Sequence, residues 1–177
     1  MKTILHLSLC ILAVPSFAEE PSPAATKDRV EFPTNYATTY QVLRTVARDE
    51  GKKLVTVYGN AKAASVTNSA QLPYPYGSII VMETASIATN RQSKPVQKPV
   101  GTFRKDQVLG LHVMRREKGF GEAYGTKRSG EWEFVEYRAD GSYITPPQKS
   151  ATCAECHIKA GAAKDFVYNG RFAAEKK

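Results

Sequence analysis

Ser-Ile-Ile-Val-Met-Glu-Thr, residues 78–84, is the stretch that decides the fold. Its β-branched residues and the Pro-Tyr-Pro-Tyr-Gly break at 73–77 predict a strand that starts directly after a turn. Side chains alternate across a strand, so one side carries Ile79, Val81 and Glu83 and the other carries Ile80, Met82 and Thr84. This stretch is the strongest strand candidate in the chain.

Further strands are predicted on either side of this one. Residues 54–58 (Leu-Val-Thr-Val-Tyr), 108–115 and 131–137 have strand-like composition. Residues 88–105 are polar and basic and predict an exposed hairpin loop, and the glycine-rich residues 119–130 predict a second loop.

Helices are predicted mainly before the sheet. Apolar residues recur at helical spacing over Asn35 to Glu50, with Thr34 or Asn35 as N-cap and Gly51 as the stop. Residues 60–66 predict one or two helical turns, and Asp140-Gly141 predicts a turn after the last strand. The pattern indicates an α+β fold, a mainly antiparallel sheet with a few helices, in which the segment after Pro146 carries the chemistry.

Residues 153–157 read Cys-Ala-Glu-Cys-His, the attachment signature of c-type haem. Cys153 and Cys156 can each join a vinyl group of one porphyrin, and His157 then lies where its imidazole binds the iron. The sequence thus predicts one covalent haem c, with His157 as the metal ligand.

Three other interpretations of the two thiols stay open. They can form a disulfide in an oxidising compartment, or a redox-active pair, although no thioredoxin-like strand and helix precede them. Zinc needs four ligands, and besides the thiols the chain after the leader offers His112 and His157.

The first 18 residues have the features of a cleavable signal peptide. Lys2 precedes an apolar run over residues 4–14, and Ser-Phe-Ala at 16–18 suits a signal peptidase. We therefore expect a periplasmic protein with a signal peptide over 1–18, a flexible arm over 19–31 and one haem domain over 32–177. No later segment has the roughly 20 apolar residues of a membrane span.

The net charge of the 177-residue chain is +8 at pH 7, and Lys2 is the only one of these charges in the leader. A basic surface can attract acidic redox partners or membrane headgroups. The charges are scattered among acids, however, which argues against a dedicated basic surface. Beyond the sign of the charge nothing indicates nucleic-acid binding, and the expected compartment argues against it.

The chain resembles the cytochrome P-460 and cytochrome c′-β family from about Asn35 to Phe172. The resemblance rests on these segments: Asn35-Tyr36, residues 74–78 leading into Ile-Ile-Val-Met-Glu, residues 111–114, residues 130–134, residues 152–157 and Asp-Phe-Val-Tyr at 165–168. It implies a mainly antiparallel β fold, a homodimer and a haem whose distal side is open. It also implies oxidation of hydroxylamine and nitric oxide in the P-460 branch, or binding of small gases such as nitric oxide in the c′-β branch. A redox partner protein remains unknown.

Met82 is the main departure from the P-460 pattern. The resemblance implies a lysine there that cross-links to the porphyrin, and a thioether has no amine to form that link. Lys94, Lys98 and Lys105 lie in or beside the next loop. Hydroxylamine oxidation is therefore less favoured than gas binding, the residues that would catalyse it are unknown, and whether the protein is an enzyme is left open.

Met82 itself has three interpretations. It can fill space in the core, shape an apolar distal pocket beside Ile80 and Thr84, or bind the iron as a sixth ligand. The last would make the protein an electron-transfer cytochrome with His/Met ligation.

Four other side chains are singled out near this site. His112 and Met114 share a strand face, and His112 is expected to be structural rather than a ligand. Glu83, on the opposite side from Met82, is expected to be ion-paired and to face away, and Asp165 is expected to order the segment beneath the haem through backbone or imidazole contacts.

Overall fold

The computed structural model describes residues 26–48, 52–99 and 101–168. The predicted signal peptide over 1–18 lies outside these residues, as does the first part of the predicted arm. Within them, the strands form one antiparallel sheet of six in the order of the chain. They are β1 (Gln41–Arg48), β2 (Lys53–Gly59), β3 (Ser78–Ile87), β4 (Lys105–Arg116), β5 (Trp132–Tyr137) and β6 (Tyr143–Thr145).

Helices are few and short. The α-helices in the described residues are α1 (Tyr36–Thr39), α2 (Ala61–Ser65) and α3 (Ala151–Ile158). Single turns of 3₁₀-helix occur at Ser69–Gln71, Pro147–Lys149 and Ala162–Lys164, and a longer 3₁₀ segment with a kink at Glu122–Lys127. The prediction of a mainly antiparallel sheet with a few helices is confirmed.

The predicted strands are confirmed, and most of them are longer in the structure than predicted. The prediction of helical turns near 60–66 is confirmed by α2. The side chain of Asn60 caps α2 by accepting from the Ala63 amide at 3.0 Å. The predicted hairpin over 88–105 is present and exposed, with bridges at Thr89–Pro95 and Gln97–Phe103, and Lys105 already starts β4.

The long helix predicted over Asn35 to Glu50 is wrong. The observed helix α1 ends at Thr39, and Gln41 starts an edge strand that pairs with β2 along its length. Two physical reasons account for the error. Pairing with β1 satisfies the backbone groups at the edge of β2, and a bulge between Val42 and Arg44 interrupts the two-residue alternation so that the apolar spacing imitates a helix.

Each face of the sheet is covered by a different part of the chain. One core contains Tyr58, Val81, Leu111, Val113, Val135 and Tyr137, and residues from the N-terminal segment pack against it. The other core, which includes Val57, Ile80, Met114, Trp132 and Phe134, packs against Ala154 of α3. The chemistry-bearing helix α3 therefore lies on the second face.

Residues 26–31 do not belong to a flexible arm. Val30 is 1% exposed, the Asp28 carboxylate accepts from the Tyr137 hydroxyl at 2.6 Å, and Arg29 forms an ion pair with the buried Glu133. The prediction that order begins near Phe32 is wrong for these residues because they cover an apolar face of the sheet.

Gly121 combines a left-handed backbone conformation with close packing against two carbonyl oxygens, and a substitution can test both. Its φ is +78°, and a Cβ there would lie 2.8 Å from the Gly130 carbonyl oxygen and 3.1 Å from that of Trp132. We expect Gly121→Ala to destabilise the protein by about 2 kcal/mol, from left-handed strain and backbone overlap. The measurement is urea unfolding.

Gly101 is the matched control for this substitution. Its φ is also +78°, but a Cβ would meet no atom within 4 Å. Gly101→Ala should therefore show the backbone strain alone, about 1 kcal/mol. Equal losses for the two variants would contradict the overlap at Gly121.

Candidate haem site

Helix α3 presents the Cys-Ala-Glu-Cys-His motif to the second face of the sheet. The start of the helix is anchored by Ser150, whose hydroxyl donates to the Pro147 carbonyl at 2.7 Å and lies 2.9 Å from the Tyr124 hydroxyl. Cys153 and Cys156 are three residues apart and so occupy neighbouring positions on one side of the helix. Both line one cavity together with His157.

Neither thiol is joined to the other in a disulfide. Cys153 is partly buried, and burial, assisted by the nearby Glu136 carboxylate, raises the pKa of its thiol. Cys156 is exposed. The described residues contain no group of three or more His, Cys, Asp or Glu side chains that could hold a metal ion by themselves.

His157 is held in one orientation by a backbone contact. Its Nδ1 lies 2.7 Å from the Phe166 carbonyl oxygen, and a carbonyl can only accept, so Nδ1 carries the proton. Burial lowers the pKa of His157, which favours the neutral ring. The neutral tautomer with the proton on Nδ1 leaves Nε2 free to bind a metal.

Aromatic rings flank this imidazole. The ring centroid of Phe134 lies 4.6 Å from that of His157, and the Tyr168 ring lies 5.5 Å away on an edge-on contact. The Tyr168 hydroxyl donates to the Cys156 carbonyl at 2.8 Å. These contacts limit rotation of the imidazole.

The segment that supplies the Phe166 carbonyl is unusual in its backbone. Asp165 and Phe166 both have positive φ, 48° and 61°, a conformation that is unfavourable for residues other than glycine. The Asp165 carboxylate secures it by accepting from the Tyr74 amide at 2.9 Å, and it lies 3.4 Å from Nε of Arg116. Burial raises the pKa of Asp165.

Asp165 therefore orders the segment as predicted, through backbone rather than imidazole contact. It acts on His157 indirectly, since the neighbouring residue Phe166 supplies the carbonyl that holds the imidazole.

The cavity has a volume of about 610 Å³, within the range of roughly 300 to 1,000 Å³ that is usual for cofactor sites. Its apolar wall on the sheet includes Val57, Ile80, Met82, Met114 and Phe134. Two thiols and a metal-competent imidazole on one wall, facing an apolar wall, fit the attachment chemistry and the apolar body of a haem.

The predicted residues divide between the two faces of the sheet. Met82, His112 and Met114 line the cavity. Glu83 faces the opposite core, is 0% exposed, and its carboxylate oxygens lie 3.0 and 2.9 Å from Nζ of Lys105. The prediction that Glu83 is ion-paired and faces away from Met82 is confirmed.

In the described part of the chain, no lysine lines the cavity. Arg48 is the arginine in its lining. His112 lies 3.2 Å from Glu136 through its Nε2, so it has the polar partner expected of a structural histidine while it faces the cavity.

Sequence reasoning missed Arg48, Glu136 and Thr145 as cavity residues. Glu136 could have been found by parity, because it shares a side of β5 with Trp132 and Phe134. Arg48 was assigned to the erroneous helix, and Thr145 belongs to a strand of three residues that has no clear sequence signal.

No helix in the described residues is long and apolar enough to cross a membrane. A search of curated proteins found no match for this chain. A family profile, Cytochrome P460, matches residues 33–169, which include every strand, α3 and the residues around His157. The chain therefore belongs to the cytochrome P460 family.

Proposed function

We propose that the protein is an exported mono-haem cytochrome that binds or redox-processes a small nitrogen species, nitric oxide or hydroxylamine, at an open distal site. Family membership implies a c-type haem. The observation that carries the proposal is that Cys153, Cys156 and His157 line one cavity, where they face a largely apolar wall of the sheet.

The chain's residues have separable roles in this proposal. Cys153 and Cys156 would attach the haem, and His157 would bind the iron through Nε2, while the Phe166 carbonyl holds Nδ1. When bound, the haem supplies a redox-active iron with affinity for small nitrogen ligands. The apolar side chains of the sheet wall, which include Ile80, Met82 and Phe134, would pack against the haem.

This function is tested by the optical spectrum of the purified haem-loaded protein. The spectrum is recorded in the oxidised and the reduced state, before and after addition of nitric oxide. We expect a high-spin spectrum that changes promptly with the gas. A low-spin spectrum that is indifferent to nitric oxide would refute an open site.

A periplasmic electron carrier in which His157 and Met82 would both bind the iron is the second candidate. The observation in its favour is that Met82 lines the same cavity as His157. Such a protein would show a methionine-to-iron charge-transfer band and a raised reduction potential.

Met82→Ala separates the two candidates. With an open site we expect the spin state to stay unchanged, because the thioether would contribute to the wall without binding the iron. Met114→Ala is the control, since Met114 also lines the cavity on the next strand. A change from low to high spin in Met82→Ala alone would establish methionine ligation.

Hydroxylamine oxidation of the P-460 type calls for a further link between protein and porphyrin. Met82 lies in the strand position where the resemblance implies a lysine. Mass analysis of the haem peptide can detect such a link, and we expect attachment through Cys153 and Cys156 alone.

The export and assembly of the protein are part of the same proposal. Residues 1–18 would direct it to the periplasm, and the mature protein would form a homodimer that exchanges electrons with a separate redox protein. N-terminal sequencing of the secreted protein and its mass in solution test these two points.

A further inference from the structure

Four side chains lie side by side across the cavity wall. The strand register pairs Met82 with His112, His112 with Glu136, and Glu136 with Thr145. All four line the cavity. They form a row from the middle of the sheet to its β6 edge. Met82 is the apolar member of this row, and we call its other three members, His112, Glu136 and Thr145, the polar row.

Contacts within the polar row fix the carboxylate at its centre. Thr145 Oγ1 donates to Glu136 Oε2 at 2.8 Å, and Glu136 Oε1 lies 3.2 Å from Nε2 of His112. Both carboxylate oxygens are therefore engaged. The Glu136 side chain is 19% exposed, against 46% for His112, so the carboxylate is the more enclosed member of the pair.

This pairing determines what the imidazole can offer to a ligand. The negative charge of the Glu136 carboxylate beside Nε2 favours the proton on that nitrogen, because it attracts an N–H dipole and repels a lone pair. In the neutral ring the other nitrogen, Nδ1, then carries a lone pair and acts as an acceptor. His112 is thus arranged as an acceptor by Glu136, in the way that a carboxylate orients a histidine in other dyads.

Among the described residues, the other polar side chains that line the cavity besides the two thiols are Arg48, Thr152, His157 and Tyr168. The Thr152 hydroxyl donates to the Lys149 carbonyl. The Tyr168 hydroxyl donates to the Cys156 carbonyl, and His157 faces the same cavity as the proposed iron ligand. The wall next to His112 is apolar at Met82 and Met114. An acceptor in apolar surroundings discriminates between ligands that can and cannot donate to it.

We propose that Glu136 positions His112 so that Nδ1 accepts a hydrogen bond from a ligand bound in the cavity, and that the site therefore favours nitrogen ligands that carry N–H or O–H. This inference rests on the proposed function, since it concerns the ligand of the same site. His112 is the ligand-contacting residue, and Glu136 and Thr145 are positioning residues.

The test compares two small probes on the ferric, haem-loaded protein by stopped flow: hydroxylamine, which can donate, and nitric oxide, which cannot. His112→Phe removes the acceptor and should lower the ratio of hydroxylamine affinity to nitric oxide affinity by about three- to tenfold. His112→Gln restores an acceptor and should recover part of the ratio.

The positioning role is tested by a second pair of variants. Glu136→Leu should lower the same ratio, whereas Glu136→Gln, whose amide oxygen still presents a partial negative charge to Nε2, should keep part of it. Gln107→Leu is the control, because it replaces an exposed polar residue of the same strand that does not line the cavity, and it should leave the ratio unchanged.

The outcomes separate this inference from the proposed function. If the wild type binds neither probe, the open site itself is refuted. If both probes bind and the ratio is the same in His112→Phe, Glu136→Leu and the wild type, the inference is overturned while the proposed function stands.

Discussion

Replacing Cys153 and Cys156 together by serine is expected to abolish covalent haem attachment. Serine hydroxyls do not add to the porphyrin vinyl groups, so any remaining haem would be held only by His157 and by packing in the cavity. Haem staining after denaturing electrophoresis, with acid–acetone extraction of the haem, measures the loss. We expect no stained band for the double variant.

Cys10→Ser is the control for this experiment. Cys10 is the remaining cysteine of the chain and lies within the predicted signal peptide, so its loss should leave haem content unchanged. Covalent haem that persists in the double serine variant would contradict attachment at residues 153 and 156.

Asp165→Ala is expected to have the largest effect on stability among the substitutions considered. It removes the acceptor of the Tyr74 amide, a buried donor, and the carboxylate beside Arg116, which keeps Glu131 as a partner at 3.2 Å. An unsatisfied buried donor and a weakened buried ion pair together cost about 3 kcal/mol. Denaturant unfolding of the haem-loaded protein measures this loss.

The same substitution should also alter the iron environment. Asp165 secures the positive-φ segment from which the Phe166 carbonyl reaches His157 Nδ1, and hydrogen bonds to a ligating imidazole tune the metal. We expect a shifted reduction potential along with the lost stability. A normal potential in a folded variant would show that Phe166 holds its position without Asp165.

Two variants calibrate this result. Asp165→Asn retains an acceptor for the Tyr74 amide but loses the charge near Arg116, so its effect should be intermediate. Asp140→Ala removes an exposed aspartate that caps the β5–β6 turn through Ser142, and it should leave the potential unchanged.

The sequence was most informative where a local pattern and the tertiary fold agree. The alternation over 78–84 correctly separated Met82 from Glu83, because a central strand with two buried faces preserves strict parity. The attachment motif likewise identified the wall of the cavity, since its spacing is imposed by chemistry and is independent of the fold.

The errors arose where distant contacts decide the structure. Residues 41–48 have a spacing compatible with a helix, and only their pairing with β2 makes them a strand. Asp28 and Arg29 looked like part of a polar arm because their partners, Tyr137 and Glu133, are more than 100 residues away. The contact between His112 and Glu136 was hidden for a similar reason, since it depends on the register of two strands.

The chain-order arrangement of the strands has a consequence for how the protein matures. Each strand pairs with its neighbour in sequence, so the whole sheet is built from residues that precede α3. The residues that carry the thiols follow the last strand, so they would emerge after it if the chain is exported N-terminus first, as proposed. The sheet can therefore form while α3 is still undocked, and the attachment machinery would work on a C-terminal segment beside a preformed cavity wall. Docking of α3 would then be the step that closes the haem into the protein.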